Sequence, residues 1–421
     1  MTMSQNPLPS PIDISVAQAQ QQIQEAMVPL LQRQEIDLQD GLNRILAHDI
    51  IAARDVPSFD NSAMDGYAFC AKDLSMHQEL TIVGQSQAGH PFHGRLQPGQ
   101  AIRITTGAVI PDYADSVLPQ ELAVLKNAST LLMEGIHVHP GQHKRCRGEE
   151  IAAGGIVLGK GTRLGPVELG LLASLGLSAI QVQRKLKVAI FSTGDELRSP
   201  GQTADLGSIF DSNRITLRTL LQQFGADVLD LGVLADNHDT IQTALKNCAD
   251  QADVIITSGG VSVGAADFTR QVMQQVGRMN FWSVNMRPGR PLAFGTIDKN
   301  QQTDKTYLFG LPGNPVAMLV SFYFFVRPAL QLLYGSQISM TPSVSAAATQ
   351  AIAKKAGRTE FQRGIFTVDP HGRLEVSITG HQGSGMLSSM ARANCLVVLT
   401  PEQGDIEVGD TVRIMLFEGL I

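Results

Sequence analysis

Between residues 187 and 335 short apolar runs alternate with amphipathic ones, and this alternation restricts the possible fold more than any other feature. Val188-Ala189-Ile190-Phe191 is an apolar run that ends in Ser192-Thr193-Gly194-Asp195-Glu196. A helix is predicted around 213–224, where Leu217, Leu220, Leu221 and Phe224 recur at helical spacing. Asp211 or Ser212 is placed to cap its start and Gly225 to stop it. Val228-Leu229-Asp230-Leu231 reads as the next strand and 239–250 as the next helix. Val254-Ile255-Ile256-Thr257 is a third strand, running into Ser258-Gly259-Gly260-Val261-Ser262-Val263-Gly264. Tyr307-Leu308-Phe309 leads into Gly310-Leu311-Pro312-Gly313-Asn314-Pro315 and a long apolar helix. Strands alternating with helices predict a parallel sheet. Ligands of such sheets bind beyond the carboxyl ends of the strands, where these loops lie.

The flanking segments differ. Residues 15–33 read as a helix with Val16, Ala19, Ile23, Ala26, Met27 and Leu30 on one face. Residues 53–145 are β-like, with short runs such as Leu80–Val83 and Ala101–Ile104 separated by Gly/Pro turns. A turn-rich stretch follows at 146–185, with a helix predicted from Pro166 to Leu175. After about residue 336 the helical period is gone. Leu374–Ile378, Leu396–Leu399 and Val412–Phe417 are strand-like, which predicts a small barrel or sandwich.

Composition removes several classes. With 421 residues the chain is long enough for several domains and sizeable cores. Its 33 basic and 39 acidic side chains give a net charge of −6. There is no basic field to displace counterions, so no nucleic-acid partner is expected. The longest apolar run, Pro315 to Val326, is shorter than the ~20 residues of a membrane span, and no membrane partner is expected. No signal peptide is visible, the first basic residue being Arg33. Cys70, Cys146, Cys248 and Cys395 form no metal-ligand spacing and are expected to be buried reduced thiols, hence a cytoplasmic protein.

Several loops have residue types suited to chemistry. Loop 258–264 is either a tight strand-to-helix connection or a cradle whose N–H groups bind phosphate; it matches neither a dinucleotide fingerprint nor a P-loop. Asp195, Glu196, Asp236 and Asp267 follow strands. One such residue is ordinarily a helix cap, but several at one sheet edge need a cation, and Mg²⁺ accepts one or two carboxylates with phosphate oxygens. Arg287-Pro288-Gly289-Arg290-Pro291 puts two guanidiniums on a Pro-Gly turn suited to an oxyanion, or leaves them as a solvated surface. Arg358 and Arg363 form a second basic cluster. His137, His139 and His143 read as turn-exposed rather than metal-bound, and no serine-hydrolase elbow is present.

Taken in order, the motifs point to one family. They are FDNSAMDGYA (59–68), RITTGAVIP (103–111), RCRGEE (145–150), FSTGDEL (191–197), DSN (211–213), TSGGVSVG (257–264), MRPGRP (286–291), GLPGNPV (310–316), FQRG (361–364), GHQGSGML (380–387) and ANCLVVL (393–399). Over nearly its whole length the chain resembles the molybdopterin molybdenumtransferases, the last-step enzymes of molybdenum-cofactor biosynthesis, which are related to the E domain of gephyrin. The resemblance implies a multidomain α/β-plus-β fold. It has an elongated two-piece domain (11–52 and 146–184), an inserted β-rich domain (53–145), an α/β molybdopterin-binding domain (185–335) with helices on both faces of its sheet, and a C-terminal β-barrel (336–421). It also implies a homodimer whose cleft is lined by both subunits.

The implied reaction joins molybdenum from molybdate to adenylylated molybdopterin and releases AMP with Mg²⁺. By the same resemblance Thr193, Gly194, Asp195, Ser258, Gly259, Gly260, Ser262 and Gly264 would cradle the pterin ligand, with Pro312, Gly313, Asn314 and Pro315 shaping the adjoining loop. Glu196, Asp236 and Asp267 would hold Mg²⁺. Arg287 and Arg290 would take molybdate, and Arg363 and Ser384 would close the site from the C-terminal domain. Asp65 and Thr106 would reach the partner subunit's cleft, with Glu150 as a further catalytic residue. The chain departs from the family pattern at several of these places. Arginines stand at 287 and 290 where lysine is usual, Glu150 where Asp is common, Ala265 where Glu is, and Ala317 where Ser is. Expected protein partners are the molybdopterin adenylyltransferase and downstream molybdoenzyme maturation factors. The rival readings are an adenylyltransferase, a gephyrin-like scaffold, and use of tungstate in place of molybdate.

Overall fold

The computed structural model describes residues 13–261, 268–299, 305–336 and 343–417, and contacts divide the chain into two units. One comprises residues 35–42 and 46–181; the other comprises 1–34, 43–45 and 182–421.

The first unit is built on a six-stranded sheet. Its strands are β1 (Gly66–Phe69), β2 (Glu79–Ser86), β3 (Gln100–Ile104), β4 (Ser116–Pro119), β5 (Val124–Asn127) and β6 (Thr130–Leu132), in the order β4-β1-β3-β2-β6-β5. β2 and β3 run parallel and the other neighbours antiparallel. Ala68, Ile102, Ile104 and Val117 pack one face and Phe69, Leu80, Leu118 and Leu131 the other. Gly66 is required at the β1–β4 crossing, because a Cβ there would fall on the carbonyl oxygen of Leu118.

The second unit begins with α1 (Val16–Ala26), started by a Ser15/Gln18 capping box. The helix expected to reach residue 33 stops here. Pro29 disfavours helical geometry at Val28, and Met27 is already extended. Tyr307 then closes the end, its hydroxyl accepting from Val28 N (2.9 Å) and donating to Ala26 O (3.1 Å). Ala19 and Ile23 join the core of this unit, so α1 packs with the α/β sheet.

The sheet of this unit comprises β7 (Lys187–Thr193), β8 (Asp227–Leu234), β9 (Val254–Ser258), β10 (Arg278–Ser283), β11 (Pro291–Asp298) and β12 (Lys305–Leu311). The order is β8-β7-β9-β12-β11-β10, the first four parallel and the last two antiparallel. Alternation along β7 sends Val188 and Ile190 to one core and Ala189 and Phe191 to the other. The first core takes Leu217 and Leu221 of α2 (Ser212–Phe224) and the apolar side of α5 (Pro315–Leu333). The second takes Ile241 and Leu245 of α3 (His238–Ala249) and Val272 and Met273 of α4 (Phe268–Val276). Burying each such leucine contributes about 1.5–3 kcal/mol. Helix α5 is long and apolar enough to cross a membrane by length and composition, but most of it is buried inside this unit. A π-turn at Phe322–Val326 interrupts it.

The C-terminal part is a closed five-stranded barrel of β13 (Ser343–Ala348), β14 (Thr359–Val368), β15 (Leu374–Ile378), β16 (Cys395–Leu399) and β17 (Thr411–Leu416). β14 pairs with both β15 and β16, which closes the ring through β13 and β17. Cys70, Cys248 and Cys395 are buried free thiols as expected, whereas Cys146 is exposed, because its loop lies on the surface.

Candidate functional site

A cleft of about 1010 Å³ opens at the carboxyl ends of β7, β9 and β12. Its floor is made of the loops that leave these strands, and the barrel contributes Arg358 and residues 382–385 to its wall.

Local packing holds the floor. Asp211 caps α2, accepting from Arg214 N, and Gly225 ends the helix with φ +97°. Capping places Asn213 in the first turn, where its Nδ2 donates to Ser258 Oγ and to Gly313 O, both at 2.8 Å. One buried amide thus joins the loops after β9 and β12. Gly259 and Gly260 carry positive φ. A Cβ on Gly259 would approach Thr193 O to 2.7 Å, so these loops touch backbone to backbone. Gly289, at φ +105°, likewise turns tightly over Ser321 and Ala317.

Asn213→Ala would leave Gly313 O and Ser258 Oγ without their buried donor. A loss of about 1–3 kcal/mol is expected in urea unfolding. Asn213→Asp should cost more, because it turns a carboxylate oxygen toward that carbonyl. Wild-type midpoints for both variants would exclude this linking role.

Charge is segregated in the cleft. Glu196 and Asp236 lie at the β7 and β8 side, and Arg287, Arg290 and Arg358 line the wall as well. Burial, and then the charges of Asp195 and Glu196, push the Asp236 carboxyl above its usual range. Its Oδ1 is buried with no hydrogen-bond partner among the described residues. Both arginines of the Pro-Gly turn stand beside carboxylates. Arg290 Nε donates to Asp13 Oδ2 (2.9 Å) and Oδ1 (3.2 Å), and Arg287 Nη1 lies 3.6 Å from Glu360 Oε1. Glu360 is itself buried and accepts from Gln362 Nε2 at 3.1 Å.

Thr193, Gly194, Glu196, Asp236, Ser258, Gly259, Gly260, Arg287, Arg290, Pro312, Gly313, Asn314, Pro315 and Ser384 are brought together on this cleft. Asp195 is exposed outside the lining, although its charge reaches Asp236. Ser262, Gly264, Ala265 and Asp267 lie outside the described residues. Among the described residues no three His, Cys, Asp or Glu side chains cluster as metal ligands.

Arg363 does not face the cleft. It is fully buried, with Nε on Ser389 Oγ (3.0 Å) and the Nη groups on the carbonyls of His381, Gln382 and Gly383. Gln382 clamps it in return through Arg363 N and O. Its place is beneath the loop that presents Ser384, and Arg358 is the exposed arginine of that wall. Ser384 O accepts from Val316 N (3.0 Å), tying this loop to the start of α5.

Asp65 and Thr106 come together in the other unit. Thr106 donates to Asp65 Oδ1 from its backbone N (2.6 Å) and its hydroxyl (2.7 Å), and these bonds hold the carboxyl below its usual range. Glu150 lines a separate cavity of about 330 Å³ with Pro57, Asn61, Arg145 and Glu149. Sequence reasoning did not single out Asn213, Phe210 or Gln382. Asn213 lies in the DSN motif and Gln382 in GHQGSGML, but neither motif shows what the side chain binds, and Phe210 lies just before DSN.

Comparison with known proteins agrees with this architecture. Three family profiles match in order: MoeA N-terminal region (domain I and II) at 14–176, probable molybdopterin binding domain at 189–332, and MoeA C-terminal region (domain IV) at 345–417. The chain is 42% identical over 409 residues to a molybdopterin molybdenumtransferase of Haemophilus influenzae, covering 97% of this chain and 100% of that one. It is 36% identical to gephyrin of Dictyostelium discoideum, covering 91% of this chain and 59% of that one. A crystal structure of a molybdopterin biosynthesis MoeA protein from Pyrococcus horikoshii superposes with TM-score 0.82 at 28% identity, covering 96% of this chain and 100% of that one.

Proposed function

The chain belongs to the molybdopterin molybdenumtransferase (MoeA) family of transferases in molybdenum-cofactor biosynthesis, and from that premise we propose how its cleft works. The substrates are adenylylated molybdopterin and molybdate, and the products are the molybdenum-loaded cofactor and AMP. The observation that carries this reading is the segregated charge of the cleft: carboxylates at one side, arginines at the other, glycine-rich loops between. A phosphoanhydride and an oxyanion both need N–H groups and positive charge at fixed positions.

The carboxylate side fits a divalent cation. Asp236 Oδ1 is a buried oxygen without a donor, and its neighbours are further carboxylates. Mg²⁺ bound there would offset the negative charge of phosphate oxygens, held by Asp236 and Glu196 together with Asp267. The Gly259–Gly260 backbone sits where an anion can approach closely, and Asn213 keeps that loop in register with Gly313. Arg287 and Arg290 orient the oxyanion, with Arg358 beside them just before the barrel strand that pairs with Met286–Arg287. Catalysis then rests on positioning and electrostatics.

Two copies form a homodimer in the cytoplasm, in which Asp65, Thr106 and Glu150 serve a cleft shared between subunits. The adenylyltransferase that makes the substrate and the maturation factors that take the product are the expected partners.

The deciding experiment measures AMP release from adenylylated molybdopterin with Mg²⁺, with and without molybdate. Molybdate-dependent release is expected. Arg290→Ala should raise the molybdate concentration for half-maximal release ~10–100-fold, the worth of a charge-assisted hydrogen bond. ATP consumption would favour the adenylyltransferase reading. No release by folded protein would favour a scaffold like the gephyrin relative, and running tungstate beside molybdate assigns the oxyanion.

A further inference from the structure

The cleft lining is apolar at one lip. There Leu197, Ile209 and Phe210 gather on a short parallel strand pair, in which Leu197 faces Ile209 and Arg198 faces Phe210. Phe210 is the one aromatic side chain among the described residues of the lining, and it is 51% exposed. The chain has 16 phenylalanines, yet among the described residues Phe59 and Phe210 are the exposed ones. Its backbone is anchored on the C-terminal side. Asp211, buried, caps α2 and also holds the Arg214 side chain, and Asn213 is fixed to Ser258 and Gly313. A half-bare ring is therefore held at the rim of a polar cleft by residues that are themselves buried. Ring faces accept flat heteroaromatic groups by stacking, with little regard to their hydrogen-bonding pattern.

We propose that Phe210 is a stacking platform for a planar nitrogen heterocycle of the ligand, of the purine or pterin class. The inference rests on the cleft reading above, in which the ligand carries one ring of each kind. The loops and arginines take the anionic centre of the ligand, and Phe210 takes a flat end. A ligand that spans both gains both sets of contacts, so the ring favours phosphates that carry a heterocycle over those that lack one.

The test uses the full chain and three probes: AMP, a pterin phosphate, and ribose 5-phosphate as the ring-free control. Calorimetric affinities are compared for wild type, Phe210→Ala, Phe210→Leu and Phe210→Trp. The Ala and Leu variants should each bind the ring-bearing probe about 10-fold more weakly, because Leu keeps apolar area but offers no ring face. Phe210→Trp should keep the affinity and show quenched indole fluorescence, against the steady signal of Trp282, the one tryptophan of the chain. Ribose 5-phosphate should bind all four alike. The AMP and pterin arms tell which ring stacks. Wild-type affinity for both ringed probes in the Ala and Leu variants would overturn the proposal. If those variants instead changed mass in light scattering, the ring would belong to a subunit interface. Failure of wild type to bind any probe would reject the cleft reading itself, and this inference with it.

Discussion

Asp236→Asn is expected to lower molybdate-dependent AMP release about 100-fold or more without unfolding the protein. The substitution is isosteric and removes the charge, exchanging one acceptor oxygen for an amide donor. That charge is unfavourable in the folded chain alone, since burial and the Asp195 and Glu196 carboxylates raise the Asp236 pKa. A raised carboxyl pKa contributes stability that is fully present below the unfolded pKa and is lost as pH rises through the folded one. At neutral pH the Asn variant should therefore melt at the same temperature as wild type or higher, and the difference should vanish on acidification. Added Mg²⁺ should raise the wild-type melting temperature and leave that of the variant unchanged, because a ligand stabilises only the state that binds it. A folded variant with wild-type turnover would remove Asp236 from the site.

Gly260→Ala is expected to abolish turnover for a different reason. Gly260 has φ +65°, and a Cβ there would fall on Thr269 Oγ1 and lie 2.8 Å from Thr193 Oγ1. Both threonines are buried, and their hydroxyls face each other at 3.3 Å, so neither has room to retreat. Backbone strain and overpacking together should cost about 2–5 kcal/mol. The loop then has to move off the ends of β7 and β9. Gly372→Ala is the control: its φ is +82°, but a Cβ there meets nothing within 4 Å. It should lose about 1 kcal/mol and keep full turnover. Equal activity losses in the two variants would show that strain alone, and not the shape of the floor, governs the site.

The parts legible in sequence were those written in local pattern. The strands of the parallel sheet, helix α2 with its Asp211 cap and Gly225 stop, and the strands of the barrel all follow from period and turn residues. So does the convergence of the loops after Thr193, Ser258 and Leu311, because parallel strands bring their carboxyl ends together. What failed to show depends on packing between distant segments. Arg363 looks like a surface cation in sequence, and only the fold supplies the carbonyls of 381–383 that let it be buried. Asn213 sits in an ordinary first helical turn until the loops at 258 and 313 close around it. Pro29 marks the end of α1, although the apolar stripe runs past it to Leu30. That α1 packs with the α/β sheet depends on Tyr307, nearly three hundred residues away.

The carboxylates beside the basic turn bear on which anions the cleft can choose. Asp13 on Arg290 and Glu360 near Arg287 act as built-in counterions, one from each side of the sequence. An incoming anion does not meet two bare charges; it competes with a carboxylate already in place. A small spherical ion such as chloride gains little there, because it cannot engage the planar edge of a guanidinium at two points. A tetrahedral oxyanion can, so at these guanidiniums shape would favour it over a spherical ion.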